Sequence, residues 1–335
     1  MKRFLASIAL TLIAVTASAQ SHSGHFTMSF NLSAQKTGEE VNLWIPYPVS
    51  DTNQYISNIR WEGNYRDAAV YTDQVFSTPM LHITWPGSAT SRLLTLSFDA
   101  KRNEQRVAIL DSEGVLNPAE HALYLAATSL GPVEGGVRQL ADEITAGKKT
   151  ILAKAQAIYD WTVENTFRDP ETRGCGVGDV NKLLKRPGGK CADISSVFVA
   201  IARAAGVPAR EIFGIRSGKE QSQDVTKWQH CWAEFFLPGT GWVPVDPADV
   251  RKAMLKQNLA IGDPQVKQLR DYFWGGVDPY RIRLSEGRDL ELNPRHVGPP
   301  LNYLMYPFAQ VGKTTLDWLD PESFSYRIEW QPLSD

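Results

Sequence analysis

The strongest constraint on folding is a change in hydrophobic period part-way along the chain. Between Ser21 and Ala108 apolar residues fall at every second position: Phe26, Met28, Phe30 and Leu32; Val41, Leu43 and Ile45; Leu81, Ile83 and Trp85; Leu94, Leu96 and Phe98. Successive side chains of a strand point to opposite faces, so this alternation predicts half-buried strands. Pro46, Pro48, Pro86 and Gly87 punctuate them as edges and turns. Antiparallel strands can bury one face and expose the other, which predicts a small sandwich or curled sheet. A helical period follows, first over Ala119 to Leu130 and then after Thr150, where Ile151, Ala155, Ile158 and Thr162 share a side and Thr150 is placed to cap. After Cys191 the residues Ile194, Val197, Phe198, Ile201, Ala202 and Ala205 recur at three- and four-residue spacings until Gly206 and Pro208 stop the pattern.

Strands return as EIFGIRS, HCWAEFFL and GWVPVD. Residues Arg251 to Arg270 read as partly helical, and Phe324, Tyr326, Ile328 and Trp330 alternate as one more strand. The expected class is α+β: a β-rich, sandwich-like N-terminal domain over residues 20–110, a helix-and-sheet domain over 111–250, and a β- and aromatic-rich C-terminal extension over 251–335 with at least one strand.

Residues 1–19 read as a signal peptide: Lys2 and Arg3, an apolar run from Phe4 to Val15, then Ala17, Ser18 and Ala19 as a small-residue cleavage site. Cleavage after Ala19 removes two of 35 basic residues and leaves 33 against 37 acidic ones, a net charge of −4. No later run approaches the ~18 apolar residues that a membrane helix needs, so a periplasmic or secreted protein without stable membrane insertion is expected. The mild acidity gives no electrostatic basis for nucleic-acid binding.

Three cysteines, Cys175, Cys191 and Cys231, are too few for a disulfide scaffold, and at least one must be unpaired. Cys191 stands where Gly188-Gly189 opens into the helix. Free N–H groups and the helix dipole there stabilise a thiolate, and the same N–H groups would serve a tetrahedral oxyanion. His230, 39 residues on, shares a strand face with Trp232, Glu234 and Phe236, whereas Cys231 faces the other way with Ala233, Phe235 and Leu237 and reads as core. An imidazole beside Cys191 would take its proton and return one to a leaving amine, and Asp246, 16 residues beyond His230, would orient that imidazole. The competing readings are a buried structural cysteine, a hydrogen-bonded strand histidine and a turn carboxylate before Pro247.

Taken together, GKCADISSVFVAIARAAGVPAR, HCWAEFF and GWVPVDP resemble, in order, three blocks of the transglutaminase-like superfamily, over roughly residues 152–250. The resemblance implies a papain-like cysteine-enzyme core with Cys191 as nucleophile, His230 as base and Asp246 as its partner. It implies a thioester acyl-enzyme formed from a carboxamide or peptide. Water would complete an amidase or peptidase reaction, and an amine would complete a protein-glutamine γ-glutamyltransferase reaction. A non-catalytic envelope-binding or scaffold protein is the remaining alternative. Trp161, Asn165 and Gln229 are candidates for an oxyanion donor beside the Cys191 N–H, and Trp228 and Trp232 for the cleft wall. Many relatives carry alanine where Cys231 stands. This admits a zinc set of Cys175, Cys191, His230 and Cys231, disfavoured by strand alternation, or a Cys175–Cys231 disulfide that leaves Cys191 free. No cofactor or metal is expected, and no calcium-loop motif is present. The expected partner is a peptide or protein substrate, with cell-envelope peptides within reach of an exported enzyme.

Overall fold

The computed structural model describes residues 20–108 and 114–333; the expected signal peptide, residues 1–19, lies outside them. Six N-terminal strands, β1 (Ser21–Asn31), β2 (Val41–Pro46), β3 (Gln54–Gly63), β4 (Asp67–Thr72), β5 (Pro79–Trp85) and β6 (Leu93–Asn103), divide between two antiparallel sheets. The alternating residues of β1, β2, β5 and β6 meet between those sheets in one core. The first half is thus a sandwich, as period two predicts.

A four-stranded antiparallel sheet forms the second layer system, from β7 (Ala209–Arg216), β8 (Gln229–Leu237), β9 (Gly241–Val245) and β10 (Arg281–Glu286), in the order β9-β8-β7-β10. Helices α1 (Gly136–Ile144), α2 (Ile151–Asn165), α3 (Cys191–Ala204), α4 (Pro247–Gln257) and α5 (Pro264–Phe273) complete this half. Ala233, Phe235 and Leu237 of β8 pack with Val197, Phe198 and Ile201 of α3. The α+β class is therefore realised with a central helix laid on the sheet. All fourteen residues of α3 are buried, not one stripe, because other helices and loops wrap the face turned away from the sheet. Thr150 caps α2 by accepting the Ala153 N–H at 3.1 Å.

One expectation needs correction. Residues Ala119 to Leu130 form no α-helix; only Ala122–Tyr124 makes a 3-10 turn. Side-chain anchoring replaces helical packing there, since the His121 ring lies tilted against Phe236 and Tyr124 meets Trp242 edge to face, at ring-centroid distances of 4.0 and 4.7 Å. The stretch Arg251 to Arg270 holds parts of two helices, broken where Asn258 turns left-handed and Asp263-Pro264 starts α5 afresh.

The C-terminal extension divides between the two halves. Strand β10 lies beside β7 in the second sheet, whereas β11 (Phe308–Val311) pairs with β2 and β12 (Tyr326–Pro332) with β1. The register Phe26↔Trp330, Met28↔Ile328 and Phe30↔Tyr326 explains the aromatic alternation of the tail: it fills the sandwich core.

Candidate active site

The first turn of α3 is built around Asp193. Its carboxylate accepts the Lys190 N–H at 3.1 Å, which ties the turn to the residue before it, and the Gly178 N–H at 2.8 Å, which ties it to the loop carrying Cys175. Gly176, at φ +87°, and Gly189 must be glycines, because a Cβ on either would run into the Asp193 side chain. The Ala192 N–H donates to Cys175 O at 2.9 Å. The Cys191 N–H has no acceptor among the described residues, which leaves it available to an oxyanion.

Cys175, Cys191 and Cys231 are all free and buried, so no Cys175–Cys231 disulfide is formed. They share one small apolar cluster with Phe213, Tyr303, Met305 and Tyr306. Hydrogen bonds from the Cys175 thiol and then the Cys231 thiol, joined by the hydrogen bond and charge of His230, hold Cys191 well below the usual thiol range despite its burial. The two flanking thiols move the other way. Cys175 is pushed well up by its bond to Cys191 and by burial, and Cys231 by burial first and then by Cys191. The cluster thus concentrates negative charge on one sulfur. Strand alternation places Cys231 on the face that carries α3, as its neighbours imply, and that face is where Cys191 lies.

His230 donates from Nε2 to Asp246 Oδ2 at 2.7 Å, which leaves Nδ1 for chemistry on the Cys191 side. Asp246 uses its other oxygen to cap α4, accepting the Asp249 N–H at 2.8 Å, with Pro247 at the first helical position. One carboxylate therefore fixes both a helix start and an imidazole. Arg281, fully buried on β10, reaches Asp246 at 2.5 Å, Asp249 at 2.8 Å and Asp278 at 2.9 Å. Arg216 adds a second guanidinium at 2.5 Å from Asp249. Three carboxylates meet two guanidiniums, and the His230 ring lies against two of the same carboxylates, Asp246 and Asp249. Burial would push Asp249 up, yet Arg216, His230 and Arg281 hold it well below the carboxylate range. His230, Asp246 and Asp249 form the one set among the described residues with metal-ligand spacing; Arg281 already supplies positive charge there. The thiols do not join His230 in such a set.

A cavity of about 560 Å³ opens beside this constellation, lined by Cys175, Lys190, Trp228, Gln229 and Tyr306 among others. Gln229 is buried; its side chain donates to Thr226 O at 3.0 Å, and its own carbonyl oxygen lies 3.3 Å from the Cys175 sulfur. Trp228 lines the cavity and is partly exposed. Trp232 is buried in a separate cluster with Ile212 and Val277. Trp161 packs against the helical core, and Asn165 is exposed, its amide donating to Trp161 O at 2.9 Å. The structure brings together Cys191, His230, Asp246, Gln229 and Trp228, and leaves Trp161, Asn165 and Trp232 elsewhere. Arg281 and Asp249 join the site without any signal in the sequence pattern, whereas Cys175 and Cys231, weighed from sequence as zinc ligands or a disulfide pair, stand instead as free thiols against Cys191.

Comparisons with known proteins agree with this architecture. The family model for the transglutaminase-like superfamily matches residues 138–247. A Haemophilus influenzae protein of uncharacterized function is 34% identical over 332 residues, covering 91% of this chain and 90% of its own. The chain belongs to the transglutaminase-like superfamily, whose members are typically cysteine-dependent acyl-transfer enzymes. A Pseudomonas aeruginosa protein-glutamine γ-glutamyltransferase is 30% identical over 140 residues, which cover 38% of this chain and 21% of the relative. The solved structure of a Cytophaga hutchinsonii protein proposed as a cysteine protease superposes at a TM-score of 0.55 over 94% of this chain and 99% of that one, with 13% identity, a likeness of fold.

Proposed function

We propose that this chain is an exported cysteine amidase or peptidase that works through a thioester on Cys191. The observation that carries the reading is the directed pair: a thiol held well below its usual range beside a histidine whose far nitrogen is bonded to Asp246. The thiolate attacks the carbonyl carbon of a carboxamide or peptide bond, and the Cys191 N–H faces the oxygen that gains charge. The C–N bond breaks as His230 gives its proton to the leaving nitrogen. Water, losing a proton to His230, then attacks the thioester; the C–S bond breaks, and an acid is released with the thiolate restored.

Water is favoured over an amine as the second substrate for an electrostatic reason. A lysine acceptor arrives as a cation, and the cavity beside Cys175 is lined by cations. Export rests on the signal-like residues 1–19; among the described residues no helix is long and apolar enough to cross a membrane. Similarity to the Pseudomonas γ-glutamyltransferase favours amine transfer as the second reading. The deciding assay incubates the folded chain with a glutamine peptide, with and without a fluorescent primary amine, using Cys191→Ala as the blank. Ammonia release in amine-free buffer is the expected result. Amine incorporation with no ammonia in amine-free buffer would assign the transferase instead.

A further inference from the structure

The cavity beside the thiol cluster has a one-sided charge. Its lining includes Arg168, Lys190, Arg216, Lys227, Lys252 and Lys256 and not one carboxylate, on a chain with 35 basic and 37 acidic residues. Arg216 is paired with Asp249. Among the described residues the other five have no carboxylate oxygen within 4.0 Å, although surface cations elsewhere on the chain, such as Arg66, Arg138 and Lys267, do. The fold holds this arrangement in place. Phe167–Arg168 pairs in parallel with Gly188–Gly189 and so sets Arg168 beside Lys190, while Lys252 and Lys256 stand one turn apart on α4, a like-charge spacing that destabilises a helix. Burial and then Arg216 push the Lys252 ammonium down, although Asp249 opposes them.

A cavity that gathers uncompensated cations next to a nucleophile gains most from an occupant that brings anions. We propose that the substrate of this site is an acidic peptide whose carboxylates are held by Arg168, Lys227, Lys252 and Lys256 while its scissile amide reaches Cys191. The inference rests on the acyl-enzyme reading and names its substrate class. The peptide would continue into a second groove of about 850 Å³ that shares Thr226, Lys227, Trp228, Pro321 and Tyr326 with the first. That groove is mixed in charge, with Glu62, Asp224 and Glu322 against Lys227 and Arg327, so the acidic residues belong at the thiol end.

The test separates binding from turnover. Peptides carrying one glutamine carboxamide flanked by two Asp, two Asn or two Lys residues, with a neutral fluorophore, are titrated onto the full chain bearing Cys191→Ala. The Asp peptide should bind about tenfold more tightly than the Asn peptide at low salt, since each exposed charge pair adds a modest increment. Raising salt to about 0.5 M, which shortens the screening length below about 8 Å, should collapse the ratio towards one. Lys252→Gln with Lys256→Gln should lower the ratio, and Lys313→Gln, an exposed position outside both cavities, should leave it unchanged. If the double variant does not fold, the charge series and its salt dependence decide alone. Equal binding of the Asp and Asn peptides, or tighter binding of the Lys peptide, overturns the proposal. Asp-selective binding by a chain whose Cys191 form turns nothing over would keep the cleft assignment and sink the amidase; equal turnover of Asp and Asn peptides does the reverse.

Discussion

Replacing Cys175 by alanine is the sharpest probe of the thiol cluster, because it removes a donor without touching His230 or Asp246. Cys175 heads the causes that hold Cys191 in its low range, ahead of Cys231 and His230. A hydrogen bond to a charged group contributes about 1.5–3 kcal/mol, and a weak S–H donor belongs at or below the lower end. At about 1.4 kcal/mol per pH unit, Cys175→Ala should move the ionisation midpoint of Cys191 up by about one unit. The assay is iodoacetamide labelling across pH with residue-resolved mass spectrometry, reading the rate at Cys191 alone. Wild type should label Cys191 well below the ordinary thiol midpoint of about 8.5, while Cys175 and Cys231, both pushed up, stay slow. Cys175→Ser retains a donor and should keep the midpoint at or below that of wild type. Equal upward shifts in the alanine and serine variants would mean that packing, not donation, sets the ionisation. An unmoved midpoint in Cys175→Ala would refute the cluster outright.

Other perturbations test the surrounding frame. Arg281→Met removes the fully buried guanidinium that three carboxylates share and should cost about 3–5 kcal/mol. At about 2 °C per kcal/mol that is a fall of about 6–10 °C in thermal midpoint; Asp278→Asn in the same background should recover part of it, and simple additivity would count against a shared network. His82 is lowered to about 4 by burial, so folding favours its neutral form; stability should be lost as pH falls from about 6.5 towards that value. Because the ring is partly solvated, the loss relative to His82→Gln should be about 2 kcal/mol by urea titration at pH 7 and pH 4.5, and equal losses in both proteins would exclude His82 as its source. Tyr306 packs over the thiol cluster and lines the cavity, so Tyr306→Ala should speed iodoacetamide labelling of Cys191 several-fold at fixed pH, and an unchanged rate would show that access lies elsewhere.

What could be read in the residues tracks how local each cause is. Period two in β1, β2, β5 and β6 identified the sandwich because each strand there has one face on the core. Strands β3 and β4 escaped notice because they lie at sheet edges, with burial too patchy to leave a regular apolar pattern. Ala119 to Leu130 misled because its residues meet helical spacing while its contacts, His121 on Phe236 and Tyr124 on Trp242, are made across the fold. Helix start, strand and strand end mark Cys191, His230 and Asp246 as candidates by local signals, and the resemblance of the three blocks to the transglutaminase-like superfamily is what joins them into one triad. The rest of the site is a matter of pairing. Arg281 reaches Asp246 only because β10 joins the sheet beside β7, and Cys175 reaches Cys191 only because two glycines let its loop close over Asp193. Neither approach leaves a mark in periodicity. The same reasoning accounts for the cationic cleft. Its members come from the strand before the cysteine loop, the helix cap, the strand after α3, the approach to His230 and helix α4, so they are scattered over almost ninety residues of an acidic chain. Net charge excluded a polyanion-binding surface on average, yet folding sorts charge, and a substrate meets the local field rather than the average.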